Sequence, residues 1–173
     1  MSRRFSLATS TALAVLGALG LLAPQAVPAQ TAPPSLQVAN ATAITTLSAT
    51  GVQIYTCQRD AGTHQLSWVF KAPQADLFDA TGHLVVKHFA GPSWEAFDGS
   101  LITGKVLEQF TAEAGNIPQL LLQATQGGGR GLLSPVRFVQ RLNTHGGLAP
   151  TQACAREGQE GRSPYTATYV FLD

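Results

Sequence analysis

The stretch GVQIYTCQ, from Gly51 to Gln58, shows the pattern that decides the fold. Its side chains fall into two alternating sets, Val52, Ile54 and Thr56 against Gln53, Tyr55 and Cys57. This alternation indicates a β-strand, because successive side chains of a strand point to opposite faces of a sheet. The turn-forming residues Asp60 and Gly62 follow, so we expect the strand to end there.

Segments of the same kind recur through the rest of the chain. Between turns rich in Gly, Pro and Asp, the sequence predicts strands at 66–73, 76–78, 83–90, 94–97, 101–110, 117–123, 136–142 and 165–172. Asp98-Gly99 is the strongest hairpin signal, and no segment has the period of an amphipathic helix. About eight short strands at this spacing predict an all-β fold, a single-domain sandwich or barrel.

The first 29 residues have the composition of a secretory signal peptide. Arg3 and Arg4 precede an apolar run from Leu7 to Leu22 that is too short to anchor the chain in a bilayer. The sequence therefore predicts a signal peptide over 1–29, a tether over 30–48 and a single β domain over 49–173. The mature chain is expected to be secreted or periplasmic, by either the general or the twin-arginine route.

Charge and composition narrow the classes of partner. Two of the 11 Lys and Arg residues lie in the predicted signal peptide, which leaves nine against ten Asp and Glu and a net charge of −1. Such a chain has no basic surface for nucleic acid, and we expect no transmembrane segment in its mature part. No strand–GxGxxG–helix unit is present, so no nicotinamide cofactor, and no cofactor of another kind, is predicted.

The two cysteines, Cys57 and Cys154, are predicted to form one disulfide. An exported protein works in an oxidising compartment, where a pair of cysteines without metal-binding spacing is normally bonded. A reactive or metal-bound thiol is the alternative, and the absence of a CxxC motif gives it little support.

Several motifs, taken in order, resemble a known family. They are GVQIYTCQ at 51–58, HFAGPSWEAFDGS at 88–100, IPQLLLQA at 117–124 and VRFVQRLNTHGGLAP at 136–150, followed by Cys154 and a tyrosine-rich last strand. Together they resemble a secreted family of bacterial and fungal proteins of unknown function, over nearly the whole mature chain. The resemblance implies an exported single-domain protein and gives no activity.

The segment 88–100 holds the densest group of residues suited to chemistry. We single out His88, Trp94, Asp98 and Ser100 as candidate ligand-binding residues. Trp94 follows a Gly-Pro turn, so it can be a stacking surface for a flat ligand or a core residue. Arg137 and Arg141, four apart on a predicted strand, are candidate contacts for an acidic ligand, with a solvated stripe as the alternative.

Metal binding and hydrolysis are the catalytic alternatives for this segment. Metal ligands can be drawn from the histidines and Asp98, but His83 and His88 are five apart, which places them on opposite faces of a strand. His88, Asp98 and Ser100 are the residue types of a hydrolytic triad, yet no GxSxG motif accompanies them. The plainer interpretation makes Asp98 a turn cap, and we assign no catalytic or metal-binding residues.

The glycine-rich run 127–131 is interpreted as a flexible connection. Its backbone amides can also bind an anion, but the run lacks the GxxxxGK[ST] spacing of a phosphate-binding loop.

These observations predict a non-catalytic binding or interaction module whose active patch surrounds His88, Trp94 and Asp98. Its partner would be a small molecule or an envelope protein. Two alternatives stay open. One is a small secreted hydrolase, with or without a metal, that uses His88 and Asp98, and the other is a structural or stress-related envelope protein. Convergence of His88, Trp94 and Asp98 with Arg137 or Arg141 in one pocket would favour a binding site. A buried Trp94 and an Asp98 bonded only to its own turn would favour a structural role.

Overall fold

The computed structural model describes residues 31–173, which form one sheet of eight antiparallel strands. Each strand pairs with the next along the chain and the last pairs with the first, so the sheet closes into a barrel. The strands are β1 (Ala43–Arg59), β2 (Leu66–Phe78), β3 (Leu84–Phe89), β4 (Ser93–Ala96), β5 (Leu101–Phe110), β6 (Gln119–Gly128), β7 (Phe138–Gly146) and β8 (Glu160–Leu172). The all-β prediction is confirmed, and the architecture is the barrel. The predicted signal peptide, 1–29, lies outside the described residues.

The first two strands are longer than the sequence predicts. β1 begins at Ala43 rather than Gly51, inside the segment predicted as a tether, because β8 supplies partners for it as far as Leu172. β2 continues through Pro73, where the sequence predicts a break. Proline is tolerated there because β3 pairs with β2 only from Ala75 onward, so Pro73 lies where β2 has a neighbour on one side alone.

The barrel interior holds the main hydrophobic core. From Tyr165 onward every second residue of β8 is buried there, as its alternation predicts: Tyr165, Ala167, Tyr169 and Phe171. On β1 the set that includes Tyr55 and Cys57 is the buried one, and Gln53 is buried with it. A glutamine therefore lies on the same strand face as core residues.

A second, smaller cluster forms where the chain before β1 packs onto the sheet. A short 3₁₀ helix (Pro34–Leu36) places Leu36, fully buried, against Leu121 of β6 and Leu142 of β7. The Gln140 side chain donates a hydrogen bond to the Leu36 carbonyl at 2.6 Å. Among the described residues, no helix is long and apolar enough to cross a membrane.

The disulfide joins the end of β1 to the loop before β8. Cys57 and Cys154 are bonded, with their Cα atoms 5.8 Å apart and a sequence separation of 97. The predicted pairing is confirmed. The bond fixes the loop next to the strand pair β1–β8 that closes the barrel.

The barrel wall has a gap next to the two shortest strands. β3 pairs with β2 only over Ala75–Phe78, and β4 pairs with β5 only over Leu101–Thr103. The first half of β2 and the second half of β5 therefore have no strand neighbour on the sides that face this gap. The space between them leads into the barrel.

Candidate functional site: a cavity inside the barrel

A cavity of about 430 Å³ lies at the gap in the barrel wall. Its lining comes from the unpaired halves of β2 and β5, the β3–β4 turn, and the inner faces of β1, β6, β7 and β8. Most of the lining is aromatic or aliphatic, and its polar members are Gln53, Lys71, His88 and Arg141 with the hydroxyl groups of Tyr55 and Tyr169. The volume falls in the range of small-molecule sites.

His88 is held in the wall by a hydrogen bond and a stacked ring. Its Nδ1 lies 2.8 Å from the carbonyl oxygen of Ser93, and because a carbonyl only accepts, Nδ1 carries the proton. The pKa of His88 is lowered to about 4, chiefly by burial, with a smaller contribution from the Arg141 charge, while the Ser93 bond acts in the opposite direction. The ring is therefore neutral at physiological pH, and Nε2 is a hydrogen-bond acceptor.

Trp94 lies directly across the strand pair from His88. The two residues are partners in the β3–β4 register, and their rings stack with centroids 4.6 Å apart and planes 6° from parallel. Gly104 makes room for the indole, since a Cβ there would lie 2.8 Å from Trp94 Cζ3. Trp94 is 1% exposed, and its Nε1–H has no hydrogen-bond partner in the described part of the chain. A buried indole N–H normally has one.

Arg141 brings a positive charge to the same wall. It pairs across the sheet with Leu120 on one side and Tyr169 on the other, and all three line the cavity. Its Nε and Nη2 donate to the Pro118 carbonyl, at 3.3 and 2.9 Å. The guanidinium is thus fixed at one edge. A hydrogen bond also joins it to the Tyr169 side chain, and the N–H groups that neither bond uses are available to another acceptor.

Gln53 and Tyr55 of β1 contribute the opposite wall. Tyr55 donates from its hydroxyl to the Gly147 carbonyl at 2.7 Å, and burial raises the pKa of the phenol while Arg141 lowers it. Gln53 is 2% exposed, and its Nε2 has no partner among residues 31–173. Gln53 and Trp94, which both line the cavity, therefore each carry a buried N–H donor without a partner in the part of the chain that the structure describes. Such groups are costly to leave unpaired.

Of the residues predicted from sequence, His88, Trp94 and Arg141 come together in this cavity. Asp98 and Ser100 do not line it. Asp98 accepts hydrogen bonds from the backbone and hydroxyl of Ser100, at 2.9 and 2.6 Å, and from the Leu132 amide at 2.7 Å. These bonds lower the pKa of Asp98, with the Ser100 hydroxyl contributing most. Ser100 Oγ in turn accepts from the Leu133 amide at 3.1 Å.

The glycine-rich run packs against this turn. A Cβ on Gly131 would overlap the Asp98 carboxylate, and one on Gly129 would overlap the Gly99 carbonyl. The glycine-rich run therefore lies against an anion, and this anion is the carboxylate of Asp98 rather than a bound ligand. Asp98 and Ser100 join the β4–β5 turn to the loop after β6.

Arg137 lies outside the cavity that Arg141 lines. It precedes β7, is exposed, and borders a separate surface hollow with Val38 and Asp173. Of the two arginines named as candidate contacts for an acidic ligand, only Arg141 lines this cavity. Among residues 31–173, no group of three or more His, Cys, Asp and Glu side chains is placed to hold a metal ion.

Sequence reasoning did not select Gln53, Tyr55 and Tyr169 as site residues. A signal for Gln53 existed, because it alternates in phase with Tyr55 and Cys57, and an amide among core residues is unusual. Tyr169 gave no such signal, since a tyrosine on the inner face of a strand is ordinary core. Pro118 contributes through its carbonyl alone, which no side-chain pattern reveals.

A comparison with family models gives one match, over residues 38–173, to the family described as "Protein of unknown function (DUF3455)". The chain belongs to the DUF3455 family. The match covers every strand of the barrel, the disulfide and the whole cavity lining. The prediction of a family of unknown function is confirmed, while the secreted character and the bacterial and fungal origin of DUF3455 proteins stay predictions. No curated protein and no solved structure matches the chain.

Proposed function

We propose that this protein is an exported, non-catalytic binding module that holds a small molecule in the barrel cavity. The observation that carries the proposal is the cavity of about 430 Å³, whose mostly apolar lining includes the partly buried Arg141. The mostly apolar lining with a few placed polar groups is the usual composition of a ligand site.

The protonation states and hydrogen bonds of His88, Asp98 and the cavity tyrosines favour binding over hydrolysis. Burial keeps His88 neutral with Nδ1 committed to Ser93. Asp98, the partner that the hydrolase alternative requires, is bonded to Ser100 and Leu132 instead. A histidine that is not hydrogen-bonded to a carboxylate lacks the residue that orients it in a catalytic triad. The phenols of Tyr55 and Tyr169 have pKa values raised by burial, which makes them poor nucleophiles.

A thermal-shift screen of the mature protein tests the proposal. The panel contains small organic acids, amides, sugars, phosphates and divalent metals. A ligand at about one hundred times its dissociation constant stabilises the folded state by about 2.7 kcal/mol, which raises the melting temperature by several degrees. We expect at least one organic compound to do so.

A pair of variants locates the binding. Val106→Phe narrows the cavity, since Val106 lines it on β5. Val69→Phe is the matched control, because Val69 is an exposed valine on β2 that does not line the cavity. The shift should fall in Val106→Phe and persist in Val69→Phe. Equal shifts in both variants would show that the compound binds outside the cavity. If no compound raises the melting temperature of the folded protein, the structural role would be favoured.

Export is supported by the disulfide, because such bonds form in oxidising compartments. Fractionation of bacteria expressing the full chain should recover the protein outside the cytoplasm, with a new N-terminus at Gln30. Recovery of the uncleaved chain in the cytoplasm, with free thiols, would contradict this part of the proposal.

A further inference from the structure

Arg141 is a partly buried charge without an opposite charge beside it. Among the described residues every other Lys and Arg is exposed, and Arg141 alone is intermediate. The ion pairs found in residues 31–173 do not include it. Lys71, the other basic residue of the cavity, is already paired with Glu160 at 2.5 Å on the rim. Withdrawing a charge from water without a counter-charge is unfavourable.

Arg141 has hydrogen-bond donors that the described residues do not use. Of its five N–H groups, Nε and one of Nη2 donate to the Pro118 carbonyl, and a further hydrogen bond joins the guanidinium to the Tyr169 side chain. Gln53 Nε2 and Trp94 Nε1 add two buried donors without partners in the described residues. Because the donors of Gln53 and Trp94 are closed to solvent, the ligand group has to fit Arg141, and a negatively charged hydrogen-bond acceptor does so.

Arg141 is the single positive charge in the cavity that the ligand has to balance. Burial keeps His88 neutral, so it adds no second positive charge. Lys71 is neutralised by Glu160. The fork of Arg141 matches the two oxygens of a carboxylate, whereas a phosphate dianion is ordinarily bound by more than one charge or by several backbone amides.

The rest of the cavity is suited to an apolar body. Aromatic rings of Tyr55, Phe70, Trp94 and Tyr169 line it. Aliphatic groups complete the lining: Val106, Ile117, Leu120 and Leu122. Phe70 is 51% exposed and Val106 47% exposed, so the apolar lining extends out to the mouth.

We propose that the ligand is a small monocarboxylic acid with an apolar body, its carboxylate bound by Arg141 and its body held by the aromatic lining. The inference rests on the proposed function and deepens it by naming the ligand class. The carboxylate supplies the counter-charge that Arg141 does not find among residues 31–173. Burial of the apolar body against the aromatic and aliphatic lining contributes the hydrophobic part of the binding free energy.

Calorimetric titration with a matched pair of probes tests this ligand class. The pair is 3-phenylpropionate and 3-phenylpropionamide, which share a body and differ in charge. We expect the acid to bind about tenfold to a hundredfold more tightly, because a hydrogen bond to a charged group is stronger than a neutral one. Acetate and phenethyl phosphate complete the set, and both should bind more weakly than 3-phenylpropionate.

Arg141→Gln should abolish the preference for the acid, and Arg137→Gln should keep it. Arg137 is the control because it is an exposed arginine near the same strand and outside the cavity. If Arg141→Gln does not fold, Arg141→Lys keeps the charge without the fork and should retain only part of the preference.

The outcomes separate this inference from the proposed function. Equal binding of acid and amide, lost in both cases by Val106→Phe, would overturn the carboxylate and leave the binding function standing. Tighter binding of the phosphate would assign the site to phosphate esters instead. Binding of neither probe, with another compound active in the screen, would overturn the ligand class. A flat response to every compound would overturn both.

Discussion

His88 shows how burial sets the chemistry of a single residue. The histidine sits between a ring on one side and a backbone carbonyl on the other, and its pKa is about 4 against an ordinary 6.5. Below pH 6.5 the unfolded chain binds a proton at this residue, while the folded chain binds it only near pH 4. Stability therefore falls as the pH drops through this window and is complete above it.

Substitution of His88 should remove this component of the pH dependence. From pH 6.5 to 4 the wild type should lose on the order of 3 kcal/mol through this residue, given about 1.4 kcal/mol for each pKa unit. His88→Gln should flatten the slope in urea unfolding measured from pH 7 to 4.5, and His145→Gln, on an exposed position, should leave it unchanged. Equal slopes in the wild type and His88→Gln would contradict a neutral buried His88.

Asp98→Asn should lower the stability of the folded protein without changing its affinity for the ligand. The substitution removes a charged acceptor for the Ser100 and Leu132 amides, so the urea midpoint should fall clearly. Asp76→Asn is the control, since it breaks only the exposed pair with Lys87 and should change stability by 1 kcal/mol at most, an order-of-magnitude figure for such pairs. Ligand affinity should be the same in the wild type and both variants. A large loss of affinity in Asp98→Asn would place Asp98 in the site.

Single residues of the site were predictable only where their chemistry was conspicuous. His88, Trp94 and Arg141 stand out in the sequence because a histidine, a tryptophan after Gly-Pro and an arginine on a strand each suggest contacts. Asp98 and Ser100 stand out equally, and the structure gives them bonds to the neighbouring loop. Residue type does not distinguish these cases, because the distinction depends on which loop the barrel brings to each side chain.

At the scale of elements, the short strands β3 and β4 create the site. They span six and four residues, against 13 for β2 and 10 for β5. The longer neighbours therefore extend past them and leave the gap that exposes the cavity. The turn at Gly91 and Pro92, which separates the two short strands, was visible in the sequence. The length of β2 beyond Pro73 was not, because it depends on how far β3 pairs.

Gly104 links β5 to the position of Trp94. Gly104→Ala places a methyl group against the indole, so the ring has to move from its stack on His88. We expect a loss of about 1–3 kcal/mol in the free energy of unfolding and a changed near-ultraviolet circular dichroism signal. Gly62→Ala is the control, since its nearest atom would be at an ordinary 3.6 Å. An unchanged near-ultraviolet spectrum in Gly104→Ala would show that the indole is not packed on β5.

At the scale of the whole molecule, closure of the barrel was only partly predictable. Alternating strands and hairpin turns indicate a meander of antiparallel strands, and both a sandwich and a barrel satisfy them. The pairing of β1 with β8 decides between the two, and it joins residues more than a hundred positions apart. The disulfide supports the same closure, and in the chain-entropy model a loop of this size contributes about 4–5 kcal/mol.

The cavity is a property of the closed barrel as a whole. Residues from β1, β2, β3, β4, β5, β6, β7 and β8 meet around it. Gln53 and Trp94, whose N–H donors have no partner among residues 31–173, come from β1 and β4, which do not pair with each other. No local pattern in the sequence carries this information, because it arises only when the sheet closes.

The central claim, that this cavity is the binding site, is tested most directly by the two indole N–H signals in a ¹H–¹⁵N nuclear magnetic resonance titration. Trp94 Nε1–H has no partner in the described residues, whereas Trp68 Nε1–H donates to the Gln152 carbonyl at 2.8 Å. Titration with 3-phenylpropionate, or with the strongest compound of the screen, should shift the Trp94 signal and leave that of Trp68 in place. A saturable binding event that leaves the Trp94 signal unmoved would contradict the account.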